Sequence, residues 1–399
     1  MNFDFTEEEK KFRQEVEDFT KEELPPDWNE KALYWPAGYG TLPILEEEFK
    51  DLYDRLLLKL GQKGWLNLGW PKEYGGQNSM IKHAIADDVM SYYRIPGGDV
   101  STAICGPTIA IVASKEMKQE WLPRIAKGKV RMWLGYSEPN AGSDLAALKT
   151  RAEDDGDGHY IINGQKIWSS GAHIADYGWV LAKTDPNAPK HAGATLLLVD
   201  NTTPGVTIRP LENICGIHSF NEVFFDDVRV PKCNVVGEIN HGFYYVMIAL
   251  QYERLFVGIG AFRRVLEELI EYVGNTWHNG QPLAKDPLVR HKLAEMAIEI
   301  EVLNGFYWRT VWMMDQGLIP ELESSVLKLF GTELGRTLAS TAMEILGLYG
   351  HLVRGSKWAP MMGRISLGYM DSVSGPIGAG TSEVQRGIIA TRGLGLPRK

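Results

Sequence analysis

The apolar positions of this chain change period twice. From Thr6 to about Ile125 they recur at helical spacing: Thr6-Glu7-Glu8-Glu9 has the form of an N-cap followed by first-turn acids, with Phe12, Val16 and Phe19 on one stripe behind it. Pro25-Pro26 ends that helix. Trp28 to Pro43 mixes aromatics, glycine and proline without a period and is expected to be a loop or an inserted excursion. Helices are predicted again from Leu45 to Leu60, around His83 to Tyr93 and from Lys115 to Ala126.

From Met132 to about Ile239 the pattern alternates instead. Trp179-Val180-Leu181, Thr195 to Val199, Val206-Thr207-Ile208 and Glu222 to Phe225 are short, β-branched or aromatic runs bounded by Gly, Pro, Asp or Asn. Asn163-Gly164 between two alternating segments predicts a two-residue hairpin turn, sending Trp168 and Ser170 off one strand on the same face. After a hinge at Asn234 to Gly242, helical periods cover Phe243 to Val273, Asp286 to Asp315, Pro320 to Leu346 and Glu383 to Ala390. The fold expected is mainly α with a central β domain: an N-terminal helical domain over 1–130, a middle antiparallel β domain over 131–239 and a C-terminal four-helix bundle over 240–399.

Composition narrows the function. Among 399 residues, 44% are hydrophobic and 23% charged, as in ordinary globular proteins. The net charge of −9, with Lys and Arg interspersed among acids, argues against a nucleic-acid surface. Cys105, Cys215 and Cys233 are far apart and odd in number, so a reducing compartment is expected. No apolar stretch approaches the ~18 residues of a membrane span and the acidic start lacks a signal pattern, which predicts a cytoplasmic protein with no membrane insertion. The histidines form no ligand cluster, so no metal is expected; His173 and His191 are structural or line a site.

The candidate chemistry lies between Gly135 and Gly171. Gly135-Tyr136-Ser137-Glu138-Pro139-Asn140-Ala141-Gly142-Ser143-Asp144 brings small residues, two hydroxyls and a glycine to a place where periodicity lapses, so backbone N–H groups can approach a polar or anionic ligand. Gln165-Lys166-Ile167-Trp168-Ser169-Ser170-Gly171 follows. "SEPNAGSD" and then "NGQKIWSSG" resemble the acyl-CoA dehydrogenase family of flavoproteins, and the likeness runs through the chain, including Met117 to Pro123 and the Asp226 to Pro231 exit. The resemblance implies FAD as cofactor, with Ser137, Gly142, Ser143, Trp168, Ser169 and Ser170 against the flavin or its phosphates and Gly380, Thr381 and Glu383 at the ADP part. Thr381 also reads as the N-cap of the last helix. It further implies an acyl-CoA substrate from fatty, alicyclic or aromatic acid degradation, contacted by Ser143 and Arg254. Electron-transfer flavoprotein would accept the electrons, and a homodimer, homotetramer or heteromer would be the assembly.

Dehydrogenation of a thioester needs a base for the α proton and an acceptor for the β hydrogen. The family's usual glutamate in a C-terminal Tyr-Glu-Gly-Thr loop is replaced here by Ala379, in Gly378-Ala379-Gly380-Thr381. Glu253, in Ala249-Leu250-Gln251-Tyr252-Glu253-Arg254, matches the other position used in the family, on the first long helix of the bundle. Met247, Leu250 and Val257 share a helical stripe that Glu253 interrupts, as a base in apolar surroundings or a helix-helix ion pair would. Arg254 holds the catalytic loop or the carboxylate in place, or is a plain interhelical salt-bridge partner.

Two family motifs are altered. Thr276-Trp277-His278-Asn279-Gly280 lacks an arginine that reaches the flavin pyrophosphate across a dimer, and Glu344 to Gly350 keeps two glycines but loses a glutamine. Tyr136 stands where an aliphatic residue is usual, and Gly378-Ala379 leaves room for a bulky or cyclic acyl group. The alternatives carried forward are oxidative decarboxylation of a dicarboxyl-CoA, an oxygen-using enzyme of the same fold, and a non-catalytic subunit of a heteromeric dehydrogenase.

Overall fold

The structure, a computed structural model, describes residues 4–32, 49–95, 97–255 and 257–397. Most of the excursion expected before Pro43, and the start of the helix expected from Leu45, lie outside the described residues. In chain order the main elements are α1 (Glu7–Glu23), α2 (Lys50–Lys63), α3 (Met80–Tyr92), α4 (Gly106–Val112) and α5 (Lys115–Ala126). The strands follow: β1 (Met132–Gly135), β2 (Arg151–Asp154), β3 (His159–Lys166), β4 (Tyr177–Lys183), β5 (Ala194–Asp200), β6 (Val206–Glu212) and β7 (His218–Pro231). Then come α6 (Gly242–Glu253), α7 (Ile259–Asn275), α8 (Pro287–Asp315), α9 (Glu321–Leu346), α10 (Arg364–Asp371) and α11 (Ser382–Ile388). The expected class, helices around a central β region, is the one observed.

Two compact units form. One is built from the described residues of Met1–Leu42, Met80–Gly97 and Arg254–Lys399, the other from those of Pro43–Ser79 and Gly98–Glu253. In the helical unit, Thr6 and Glu9 close a reciprocal capping box that starts α1 and lets it bury Phe12, Val16 and Phe19. Asp286 caps α8 through Leu288 N at 2.8 Å, with Pro287 at its first position. α7, α8 and α9 bury Phe262, Leu269, Leu303, Tyr307, Leu327 and Leu338 in one core, and α3 joins them through Ala84. Its Asp88, fully buried, is held by Arg13 and Arg263. The approach of α3 to α7 is close enough that a Cβ on Gly260 would fall 2.0 Å from the Asp88 carbonyl oxygen.

The second unit is a sheet in the order β1-β4-β2-β3-β7-β6, with β5 also paired to β4. Its pairings are antiparallel except those of β4 with β1 and β2. β4 is buried from Gly178 to Ala182, so its apolar run is continuous rather than alternating. α2, α4, α5 and α6 belong to the same unit.

Three local expectations need correction. Asn163-Gly164 is not a hairpin turn: β3 runs straight through it, and the turn lies earlier, at Asp154 to Gly158, where Asp154 and Asp155 side chains accept from Gly156 N and Asp157 N. Asn163 instead exchanges two hydrogen bonds with Asp227 across a bulge in β7, and a Cβ on Gly164 would meet Thr150 Oγ1 at 2.5 Å. Asn279-Gly280, by contrast, does turn a small hairpin, with both residues at positive φ (50° and 79°) as a type I′ turn requires. Second, Trp168 and Ser170 leave no strand, since β3 ends at Lys166.

Third, the helix expected over Phe243 to Val273 breaks directly after Glu253. Gly258 restarts it as a left-handed N-cap at φ 63°, so Val257 does not share a helical stripe with Glu253. Apolar residues continue across the break, which hides it from periodicity. A π-helical turn at Ser101–Cys105 leading into α4, and α10, were not anticipated.

Gly260→Ala is expected to lower the thermal and urea midpoints, by about 1–3 kcal/mol of overpacking, whereas Gly274→Ala, whose Cβ meets nothing within 4 Å, is not. Equal midpoints for the two variants would contradict the packing described.

Candidate active site

β1 delivers the chain into the loop Tyr136 to Asp144, and β3 delivers it into Ile167 to Gly171. A buried ion pair joins the two. Lys166 Nζ donates to Glu138 Oε1 at 2.8 Å and to the Tyr136 carbonyl at 3.0 Å, and Ile167 N donates to Ser137 O at 3.0 Å. Glu138 also accepts from Lys149 N at 2.6 Å and Thr150 N at 2.9 Å. Its carboxyl would rise on burial, but the Lys166 charge and these donors outweigh that and hold it below the usual range. Burial pulls Lys166 down to about 8 against the attraction of Glu138, so both groups are charged near neutrality. The signal was in the sequence: Tyr160 and Ile162 point inward on β3, and Lys166 is buried on the same alternation.

This clasp brings Ser137, Gly142, Ser143, Trp168, Ser169 and Ser170 onto two tied loops. Trp168 is 58% exposed in a left-handed conformation (φ 60°), its ring perpendicular to that of Phe220 with centroids 5.9 Å apart. Ser169 is fully buried, and its Oγ has no hydrogen-bond partner among the described residues. A Cβ on Gly142 would meet nothing within 4 Å, so backbone there is open to approach.

Glu253 closes α6 in the same unit, half-buried. One turn before it, Leu250 joins Tyr136, Cys105 and Trp179 in one apolar cluster, where Trp179 Nε1 donates to Tyr136 Oη at 2.9 Å. Burial pushes the Tyr136 phenol well up and Glu253 adds to it, while burial, Asp99 and Glu253 do the same to the Cys105 thiol. Tyr136 and Cys105 therefore stay protonated beside the carboxylate. Trp70 belongs to the same cluster; it donates to Thr102 O at 3.1 Å and packs on Gly106, where a Cβ would fall 2.0 Å from its ring. Sequence reasoning noted Tyr136 only as a departure and passed over Cys105, Glu138 and Lys166.

The remaining candidates lie in the helical unit. Arg254 is buried, its Nη1 3.5 Å from Ser325 Oγ. Lys328 Nζ donates to Gly380 O at 2.7 Å, Thr381 caps α11 through Val384 N at 3.2 Å, and Glu383 is exposed on its first turn. Ala379 stands at φ 53°, and beside it Ser382 Oγ and Gln385 Oε1 are buried without partners among the described residues. Among the described residues no group of three or more His, Cys, Asp or Glu side chains could hold a metal, and no helix is long and apolar enough to cross a membrane.

Three family descriptions match the chain in order: the acyl-CoA dehydrogenase N-terminal domain over residues 6–129, the middle domain over 134–228 and the C-terminal domain over 240–394. The chain belongs to the acyl-CoA dehydrogenase family. It is 34% identical to acyl-CoA dehydrogenase FadE26 of Mycobacterium tuberculosis (strain ATCC 25618 / H37Rv), over 100% of this chain and 99% of that protein. Among solved structures it is similar to the ChsE4-ChsE5 complex from Mycobacterium tuberculosis, with TM-score 0.88 and 33% identity over 100% of both chains. A second is the Tcur3481-Tcur3483 steroid ACAD, with TM-score 0.88 and 31% identity over 100% of both. Acyl-CoA dehydrogenases are FAD-dependent flavoproteins. The exposed indole of Trp168 and the open backbone at Gly142, on two loops tied together within one unit, fit a planar cofactor.

Lys166→Met would leave Glu138 buried without its counter-ion, at a cost of about 3–5 kcal/mol. The expected result is a lowered thermal midpoint, with Lys166→Met/Glu138→Gln less unstable than the single variant; additive losses would argue against coupling.

Proposed function

We propose that this chain is an FAD-dependent dehydrogenase of an acyl-CoA thioester, forming the α,β-unsaturated product, with Glu253 as the base. The observation that carries the reading is that Glu253 ends α6 in the same unit as the Trp168 loop, its charge felt by Tyr136. Glu253 takes the substrate's α proton onto a carboxylate oxygen. Bound FAD supplies the acceptor for the β hydride. The hydroxyls of Ser137 and Ser170 would offer donors toward that cofactor, Trp168 would pack against it and exclude water, and the Lys166–Glu138 pair keeps the two loops in register. Arg254 is taken as a positioning group and Ser143 as a contact for the thioester's CoA part. Gly380, Thr381 and Glu383 are assigned to the ADP end.

Ala379 and Gly378 place small residues where the family's alternative base would stand, and this, with the steroid ACAD among the similar structures, supports a bulky or cyclic acyl group as substrate. Electron-transfer flavoprotein is the proposed acceptor and the cytoplasm the proposed compartment. A heteromeric assembly is a second reading: the segment lacking the cross-subunit arginine turns a tight hairpin at Asn279-Gly280, and one similar structure is a complex of two named chains.

Anaerobic titration of the purified protein with a panel of acyl-CoA thioesters tests the reading through loss of the flavin's visible absorbance. One thioester is expected to bleach the wild type, and Glu253→Gln to slow bleaching by about 10²–10⁴-fold while keeping its flavin. Bleaching by a dicarboxyl-CoA with release of carbon dioxide would favour oxidative decarboxylation, a yellow protein that no thioester bleaches would favour oxygen chemistry, and a colourless one a partner-dependent subunit.

A further inference from the structure

Directly after its first residue, His218, β7 carries three residues, Ser219, Phe220 and Asn221, that meet the Trp168 loop one by one. Gly171 N donates to Ser219 O at 3.2 Å, the Trp168 ring stands edge-on to Phe220, and Ser169 N donates to Asn221 O at 3.1 Å. Asn221 adds its side chain to this. Fully buried, it donates from Nδ2 to Ser169 O at 2.9 Å, so Ser169 is gripped through both of its backbone polar groups.

The rest of the amide is committed as well. Because Ser169 O can only accept, the atom facing it is the amide nitrogen, and the orientation of Asn221 follows. Its second proton goes to His173 Nδ1 at 3.1 Å, and Oδ1 accepts from His218 Nε2 at 2.8 Å. His173 therefore carries its proton on Nε2 and His218 has one on Nε2. The two rings stack with centroids 3.9 Å apart and 23° between planes. Desolvation first, and then the facing His218, hold the His173 pKa down to about 4, which keeps its Nδ1 an acceptor at neutral pH.

We infer that Asn221, oriented by His218 and His173, is the positioning residue that fixes the Trp168–Ser170 loop in the shape that receives the flavin. The inference rests on the flavin reading above. Trp168 occupies a left-handed conformation that a bulky residue avoids unless its surroundings impose it, and the next residue along is the one Asn221 grips. No residue of similar size replaces this amide: aspartate has the shape but cannot donate to Ser169 O, and leucine has neither donor nor acceptor. Asn221 itself touches no reacting atom in this account; it acts through Ser169 on the residues either side.

The test uses the full-length chain stripped of flavin and titrated with FAD, reading the dissociation constant, the visible spectrum of the bound flavin and its midpoint potential. Asn221→Asp is expected to raise the dissociation constant about tenfold or more and to shift spectrum and potential, since a buried donor pair is lost and a charge faces the Ser169 carbonyl. His218→Leu, which frees Oδ1 and lets the amide swing, should shift them in the same direction, and His218→Gln, which retains a donor, should restore them to near the wild-type values. If Asn221→Asp fails to fold, the His218 pair decides. Wild-type spectrum, potential and affinity in Asn221→Asp, or in His218→Leu where the former does not fold, would overturn the inference alone. A wild-type chain that takes up no FAD would overturn the flavin reading and the inference together.

Discussion

The Lys166–Glu138 pair is the constraint on which the candidate site depends. A lysine with no solvent exposure is held by one carboxylate and one backbone carbonyl, and that carboxylate is held in turn by two backbone N–H groups just before β2. Breaking such a pair is costly because the abandoned charge stays buried. The geometry is correspondingly fixed: the two loops that carry Ser137 and Trp168 are far apart in the chain's local order, yet their exits are locked together at the pair. The sheet provides the platform, but the pair decides how the loops leave it.

A second constraint concerns where the proposed base stands. α6 ends at Glu253, and the chain resumes as α7 only after a left-handed glycine. A continuous helix would have made Glu253 one of many side chains on a long stripe. The break makes it a terminal residue of a short helix whose preceding turn, through Leu250, is packed with Tyr136, Cys105 and Trp179. Burial keeps the Tyr136 phenol and the Cys105 thiol of that cluster protonated.

Much of this was legible in the order of residues. The helices with clean stripes and caps, such as α1 behind its Thr6 box and α5 over Lys115–Ala126, follow from local pattern because each buries one face and satisfies its own ends. The two candidate ligand loops were legible as places where pattern lapses and small polar residues gather, and Ala379 in place of a carboxylate directed attention to Glu253. Thr381 as a cap was equally local. The misplaced hairpin shows the boundary of such reasoning: Asn-Gly is a turn at 279–280, where nothing else claims it, and a strand at 163–164, where Asp227 and Thr150 do.

By itself, then, the sequence determined the run of helical and alternating segments, the family and the residue types at the site, because these depend on spacing within a few turns or on motifs read in place. Only the tertiary structure decided that Lys166 answers Glu138, that Asn221 grips Ser169, that Tyr136 and Cys105 sit near Glu253, and that the helix stops there. Each of those is a contact between residues distant in the chain. Their energies arise from burial and from the geometry of donors and acceptors, and neither exists until the elements pack.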